Sequence, residues 1–163
     1  MQRNARQTGA SAARYDMPSL DQTSAKTESG GGATEADSHV DPLRGLRILI
    51  VEDNPYIALA LEEMLIEQGL AIAGVASTIE QALRFAASGL IDLALLDVNI
   101  GERKIDPVAE ALTQRGKPFI FTTGCGRAGL PEAFLDRPIV EKPFYIEEIL
   151  QTLRSALASA GSG

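Results

Sequence analysis

Five short apolar runs, spaced along the chain and each ending at a polar or charged residue, constrain the fold more than anything else in this sequence. They are Ile48–Val51, Ala71–Ala76, Leu93–Leu96, Phe119–Thr122 and Ile139–Val140. Runs of this length, rich in Ile, Val, Leu and Phe and bounded by turn residues, read as buried strands. Between them apolar residues recur at helical spacing. Ile57, Leu61, Met64 and Leu65 follow the first run, with Asn54 as cap, Pro55 in the first turn and Gly69 as stop. The same reading places helices over Thr78 to Ala87, before Gly89, and over Val108 to Gln114, before Gly116. It adds a weaker helix around Leu130 to Leu135 and a last one from Ile146 to Ala158. Strand and helix alternate throughout. That order predicts an α/β fold, a five-stranded parallel sheet with helices on both faces.

The part before the first run is different. Residues 1 to 45 are rich in Ser, Thr, Gly and Ala, with Gly30-Gly31-Gly32 in the middle. So little apolar surface does not offset the entropy of ordering, so a disordered tail is expected, or a linker with a short partner-binding helix near Ala10 to Tyr15. The folded domain is expected over 46–160. The tail carries five basic and six acidic residues, which leaves ten against sixteen for the rest and puts the acidity in the folded part. An acidic domain offers no footprint for nucleic acid or anionic lipid. The single Cys125 precludes an internal disulfide and suits a reducing compartment. No apolar run reaches the ~18 residues that span a bilayer. A cytoplasmic protein with neither nucleic-acid nor membrane partners is the expectation.

In an open parallel sheet, ligands bind beyond the carboxyl ends of the strands. The unusual polar residues gather at that end: Glu52 and Asp53 after the first strand, Asp97 after the third, Thr123 after the fourth and Lys142 after the fifth. Taken singly, each has a plain reading as a cap, a turn residue or a strand terminator. Taken together, three carboxylates at one end of an apolar sheet repel one another and call for a cation. Mg²⁺ suits a few carboxylates with waters and phosphate oxygens. A carboxylate beside Mg²⁺, a hydroxyl and a lysine is equipment for an aspartyl phosphate, with the cations neutralising the transferring group.

The segments Ile-Leu-Ile-Val-Glu-Asp-Asn (48–54), Leu-Leu-Asp-Val-Asn (95–99), Thr-Gly (123–124) and Lys-Pro-Phe (142–144) resemble the motifs of response-regulator receivers, over about Arg47 to Leu157. The resemblance implies a flavodoxin-like strand order 2-1-3-4-5. It implies Asp97 as phosphoacceptor and Thr123 as switch hydroxyl, with Lys142 on the phosphoryl group. Glu52, Asp53, Asp97 and the backbone carbonyl of Asn99 would hold Mg²⁺, and the Lys142–Pro143 bond would be cis. The implied partners are a sensor histidine kinase or histidine phosphotransfer protein and a downstream regulator. Phe119 to Pro131 is similar to alphaproteobacterial single-domain regulators with a Phe-Ala-Thr-Gly-aromatic signature, some of which act in the general stress response. Here Thr122 replaces the alanine and Cys125 the aromatic residue. Ile139 stands where the wider family places its aromatic switch residue, and Asp106-Pro107 where many receivers have Asp-Gly.

One helix fits after Lys142, so no output domain is expected, and the signal would pass by protein contact or onward phosphotransfer. Two other readings compete. A phosphorylation-independent scaffold would have no use for the five polar residues. A hydrolase of the aspartyl-phosphate class would want a carboxylate two residues after the nucleophile, where Asn99 stands. No phosphate-binding glycine fingerprint points to a nucleotide enzyme. The expectation is a phosphoacceptor that acts only on itself, not an enzyme.

Overall fold

A computed structural model describes residues 41–161 of the 163. The expected tail as far as residue 40, with its alternative of a helix near 10 to 15, lies outside the described residues. Residues 41–45 do not behave as tail. They form a turn in which Asp41 accepts the Leu43 N–H at 3.0 Å and pairs with Arg154 at 2.6 Å. Leu43 is fully buried, so the domain begins before residue 46.

The elements follow in chain order: β1 (Arg47–Val51), α1 (Pro55–Glu67), β2 (Ala71–Ala76), α2 (Ile79–Ser88), β3 (Leu93–Asp97), β4 (Asn99–Ile100), β5 (Arg103–Lys104), α3 (Asp106–Gln114), β6 (Phe119–Thr123), β7 (Ile139–Glu141) and α4 (Ile146–Ala160). Five parallel strands form one sheet in the order β2-β1-β3-β6-β7, which is the expected 2-1-3-4-5 once the two-residue strands are set aside. Neighbouring residues in each strand feed opposite faces. Leu49, Val51, Ala94, Leu96, Phe119 and Phe121 pack with α2 and α3. Ile48, Ile50, Leu93, Leu95, Ile120 and Val140 pack with α1 and α4. Two apolar faces explain why these strands carry no polar alternation.

Local chemistry sets the helix ends. The Asn54 side chain accepts N–H groups of Tyr56 and Ile57, and Pro55 opens α1. The Thr78 hydroxyl caps α2 by accepting from Gln81 N–H, and Gly89 closes that helix at φ 70°.

Two features differ from the sequence reading. The weak helix near 130–135 is instead a pair of 3-10 turns, Gly126–Gly129 and Glu132–Phe134. Leu130, the residue before a proline, is extended at ψ 149°, and Pro131 is extended at ψ 139°, so no helix starts before Glu132 and only three residues coil. Phe134 still anchors the segment, 5.9 Å from Phe119 and 6.1 Å from Phe121 between ring centroids. The second feature is an antiparallel hairpin of β4 and β5, turning at Gly101. Strands of two residues leave no hydrophobic run to read.

Candidate functional site

The carboxyl ends of β1, β3, β6 and β7 bring the polar residues together because the strands share one sheet and register. Asp97 pairs with Thr122 across β3 and β6, and Thr123 with Glu141 across β6 and β7. Two backbone bonds continue that order beyond the strands, from Val98 N–H to the Thr122 carbonyl and from Lys142 N–H to the Thr123 carbonyl. Asp97 is thus set beside the end of β6, with Lys142 one strand further on. The Lys142–Pro143 bond is cis, as expected.

Lys142 is the hub. Its Nζ donates to Glu52 Oε2 at 2.7 Å and to Asp97 Oδ2 at 2.8 Å, with the Phe144 ring centroid 5.8 Å away. Glu52 is buried and also accepts the Asn54 N–H at 3.2 Å. Asp97 is buried and Asp53 exposed. Burial pushes the Glu52 carboxyl above its ordinary value; the Lys142 hydrogen bond opposes this, and the Asp97 charge reinforces it. Burial alone would pull the Lys142 ammonium down, but its hydrogen bonds to Asp97 and Glu52 outweigh that and hold it above its ordinary value.

The donor set fits a hard divalent cation. One oxygen each from Glu52, Asp53 and Asp97 lie within 4.8 Å of one another. Oxygens around Mg²⁺ at about 2.1 Å are roughly 3–4.2 Å apart, close to that spacing. One ammonium faces three carboxylates, which leaves negative charge for a cation to balance.

Thr123 is nearly fully buried, but its hydroxyl is turned to the loop. It accepts the Cys125 N–H at 3.1 Å and donates to the Gly126 carbonyl at 3.5 Å. Asn99 begins β4 with an exposed side chain, two residues beyond Asp97. One contact was not legible in the sequence: the backbone N–H of Gly101 donates to Asp53 Oδ2 at 2.8 Å. A glycine after a strand signals a turn, but nothing in the sequence says which carboxylate its N–H meets.

Comparison with known proteins is consistent with this geometry. Residues 48–154 match the response regulator receiver domain. The transcriptional regulatory protein PdtaR of Mycobacterium tuberculosis is 31% identical over an alignment of 132 residues that covers 78% of this chain and 62% of PdtaR. The phyllosphere-induced regulator PhyR of Methylorubrum extorquens is 34% identical over an alignment of 120 residues that covers 68% of this chain and 43% of PhyR. The chain therefore spans less than two thirds of either relative. The solution structure of SdrG from Sphingomonas melonis Fr1 is 41% identical with a TM-score of 0.61, covering 71% of this chain and 96% of SdrG.

Proposed function

The chain belongs to the response regulator receiver domain family, and from that membership we propose that it takes a phosphoryl group on Asp97 from a histidine kinase or a histidine phosphotransfer protein. The observation that carries the reading is Lys142, whose ammonium bridges Glu52 and Asp97 at the ligand-binding end of the sheet while Asp53 completes a cation cluster. A Asp97 oxygen attacks the phosphorus of a phosphohistidine. The O–P bond forms as the N–P bond breaks, and the electron pair returns to the imidazole. Lys142, already on Asp97, moves its charge onto the phosphoryl oxygens. Glu52, Asp53, Asp97 and the Asn99 carbonyl would hold Mg²⁺, which supplies charge neutralisation when bound.

The Thr123 hydroxyl links this step to output. It donates to the Gly126 carbonyl, and a phosphoryl oxygen on Asp97 would compete for that proton. Ile139 is half-buried against the core and is smaller than the aromatic switch residue of the wider family, so the 124–134 segment is the element proposed to respond. Output would pass by contact with a protein partner or by onward phosphotransfer. A role in a general stress response is the narrower reading. It rests on the Phe119–Cys125 resemblance and the likeness to PhyR, a stress response regulator.

Incubation with candidate histidine kinases and labelled ATP tests the assignment. The expected result is an acid-labile, hydroxylamine-sensitive label that is absent from Asp97→Asn, with an unchanged far-ultraviolet spectrum. Equal labelling of both chains refutes it.

A further inference from the structure

Asp53 is the exposed member of the carboxylate cluster, yet it is held from outside that cluster. The N–H of Gly101, at the tip of the β4–β5 hairpin, donates to its Oδ2. The hairpin is fastened elsewhere too. Ile100 and Ile105 are buried in the same core as Leu130 and Phe134. The Arg103 guanidinium pairs with the Glu80 carboxylate on α2. Lys104 Nζ donates to the carbonyl of Gly129 at 3.3 Å. Gly129 ends the 3-10 turn whose first residue, Gly126, receives the Thr123 hydroxyl.

These bonds form one connected path. It runs from the Asp53 carboxylate through the six residues 99–104 to Gly129, and back through Gly126 to Thr123. A two-residue ladder has almost no stability of its own, so the conformation of this hairpin is set by what holds its ends. We propose that the β4–β5 hairpin is a strap coupling the Asp53 carboxylate to the order of the 124–130 loop, with Lys104 as the positioning residue at the loop end. The Gly101 N–H takes one of the roughly four acceptor sites of the Asp53 carboxylate, and the rest can meet a cation. A cation that reorients the carboxylate pulls or releases the hairpin, and the loop is affected in turn. Coupling is reciprocal, so a loosened loop weakens cation binding at Asp53. Only this cation arm rests on the function proposed above.

Amide hydrogen exchange of the full chain tests the strap. The Leu130 N–H, bonded to the Arg127 carbonyl, and the Cys125 N–H, bonded to Thr123 Oγ1, are the reporters. In metal-free protein, Lys104→Met keeps the apolar stem and removes the donors, and Asp53→Ala removes the acceptor. Each is expected to speed exchange at Leu130 by about three- to tenfold, the factor that loss of one exposed hydrogen bond gives. Asp53→Asn keeps an oxygen for Gly101 and should exchange like wild type, which separates the hydrogen bond from the loss of charge. The double variant Lys104→Met, Asp53→Ala should add little to either single change, because one strap is cut twice. Added Mg²⁺ should change loop exchange in wild type but not in Lys104→Met, although calorimetry detects binding to both. Unchanged reporters in both single variants overturn the strap. A loop loosened by Lys104→Met but not by Asp53→Ala also overturns it, since the tether would then be local. Absence of Mg²⁺ binding to wild type refutes the metal reading instead, and the metal-free comparison still decides the strap.

Discussion

Glu52 carries the sharpest conflict at the scale of single residues. It is 2% exposed, shares its cation with Asp97, and is pushed above its ordinary value chiefly by burial. The direction of that shift means that folding disfavours the charged form of Glu52 when no metal is bound. Glu52→Gln removes the buried charge and keeps one acceptor oxygen for Lys142, at the expense of the longer 3.2 Å bond from the Asn54 N–H. It should therefore raise the metal-free melting temperature by about 2–4 °C, the shift that ~1 kcal/mol produces in a chain of this size. Mg²⁺ should stabilise wild type by mass action and the variant less. Melting curves with and without Mg²⁺ check both, and a wild type insensitive to Mg²⁺ counts against the cation site. The convergence of Glu52, Asp53, Asp97, Thr123 and Lys142 on one end of the sheet was legible in the sequence because each stands at the carboxyl end of an apolar strand in a parallel order. The direction of the Thr123 hydroxyl and the Gly101 N–H was not legible, since both depend on loop backbone that no side-chain pattern encodes.

At the scale of elements, β2 shows how one glycine fixes a layer. The register between β1 and β2 shifts after Ile48, so that Leu49 pairs with Gly74 and Ala73 is passed over. A Cβ on Gly74 would lie 2.3 Å from the Phe85 ring, which packs from α2 against the core. Gly74→Ala forces that ring aside. The expected cost is about 1–2 kcal/mol, the lower part of the range for overpacking because the ring is only partly buried. Urea midpoints measure it, and Phe85→Leu in the same chain should recover most of the loss. An unchanged midpoint would mean the ring moves away freely. The main strands and α-helices were readable from period and capping, as Asn54, Pro55 and Gly89 show. The strand Ala71–Ala76 was readable too, but its bulge was not. The β4–β5 hairpin escaped for want of length. The expected helix near 130 failed because Leu130, before Pro131, is held extended and Pro131 is extended too, which overrides what Leu130, Phe134 and Leu135 suggest by spacing alone.

At the scale of the whole domain, chemistry and stability are placed at opposite ends of the sheet. The carboxyl ends of the strands hold the crowded carboxylates, while the amino ends hold a well-satisfied ion pair. The Arg47 guanidinium donates to both Asp92 oxygens at 2.8 and 2.9 Å, and Arg47 N–H donates to Asp92 as well. Asp92 N–H returns a bond to the Arg47 carbonyl, so β1 and the approach to β3 are joined twice over. The Arg47 hydrogen bond holds the Asp92 carboxyl down at about 2. A group depressed on folding stabilises above its unfolded pKa of about 3.9 and loses that contribution as pH falls through its folded value. Asp92→Asn should thus cost about 1 kcal/mol near neutral pH, a modest figure because water reaches the pair. The gap between wild type and variant should hold down to about pH 4 and close toward about pH 2. Urea unfolding across that range measures it, and a gap that persists unchanged to the acid end refutes the pairing as its source. Labelling at Asp97 should be the same in both chains, because Arg47 and Asp92 lie at the far end of β1 and β3 from the phosphoacceptor. Loss of label together with stability would mean the two ends of the sheet are coupled after all.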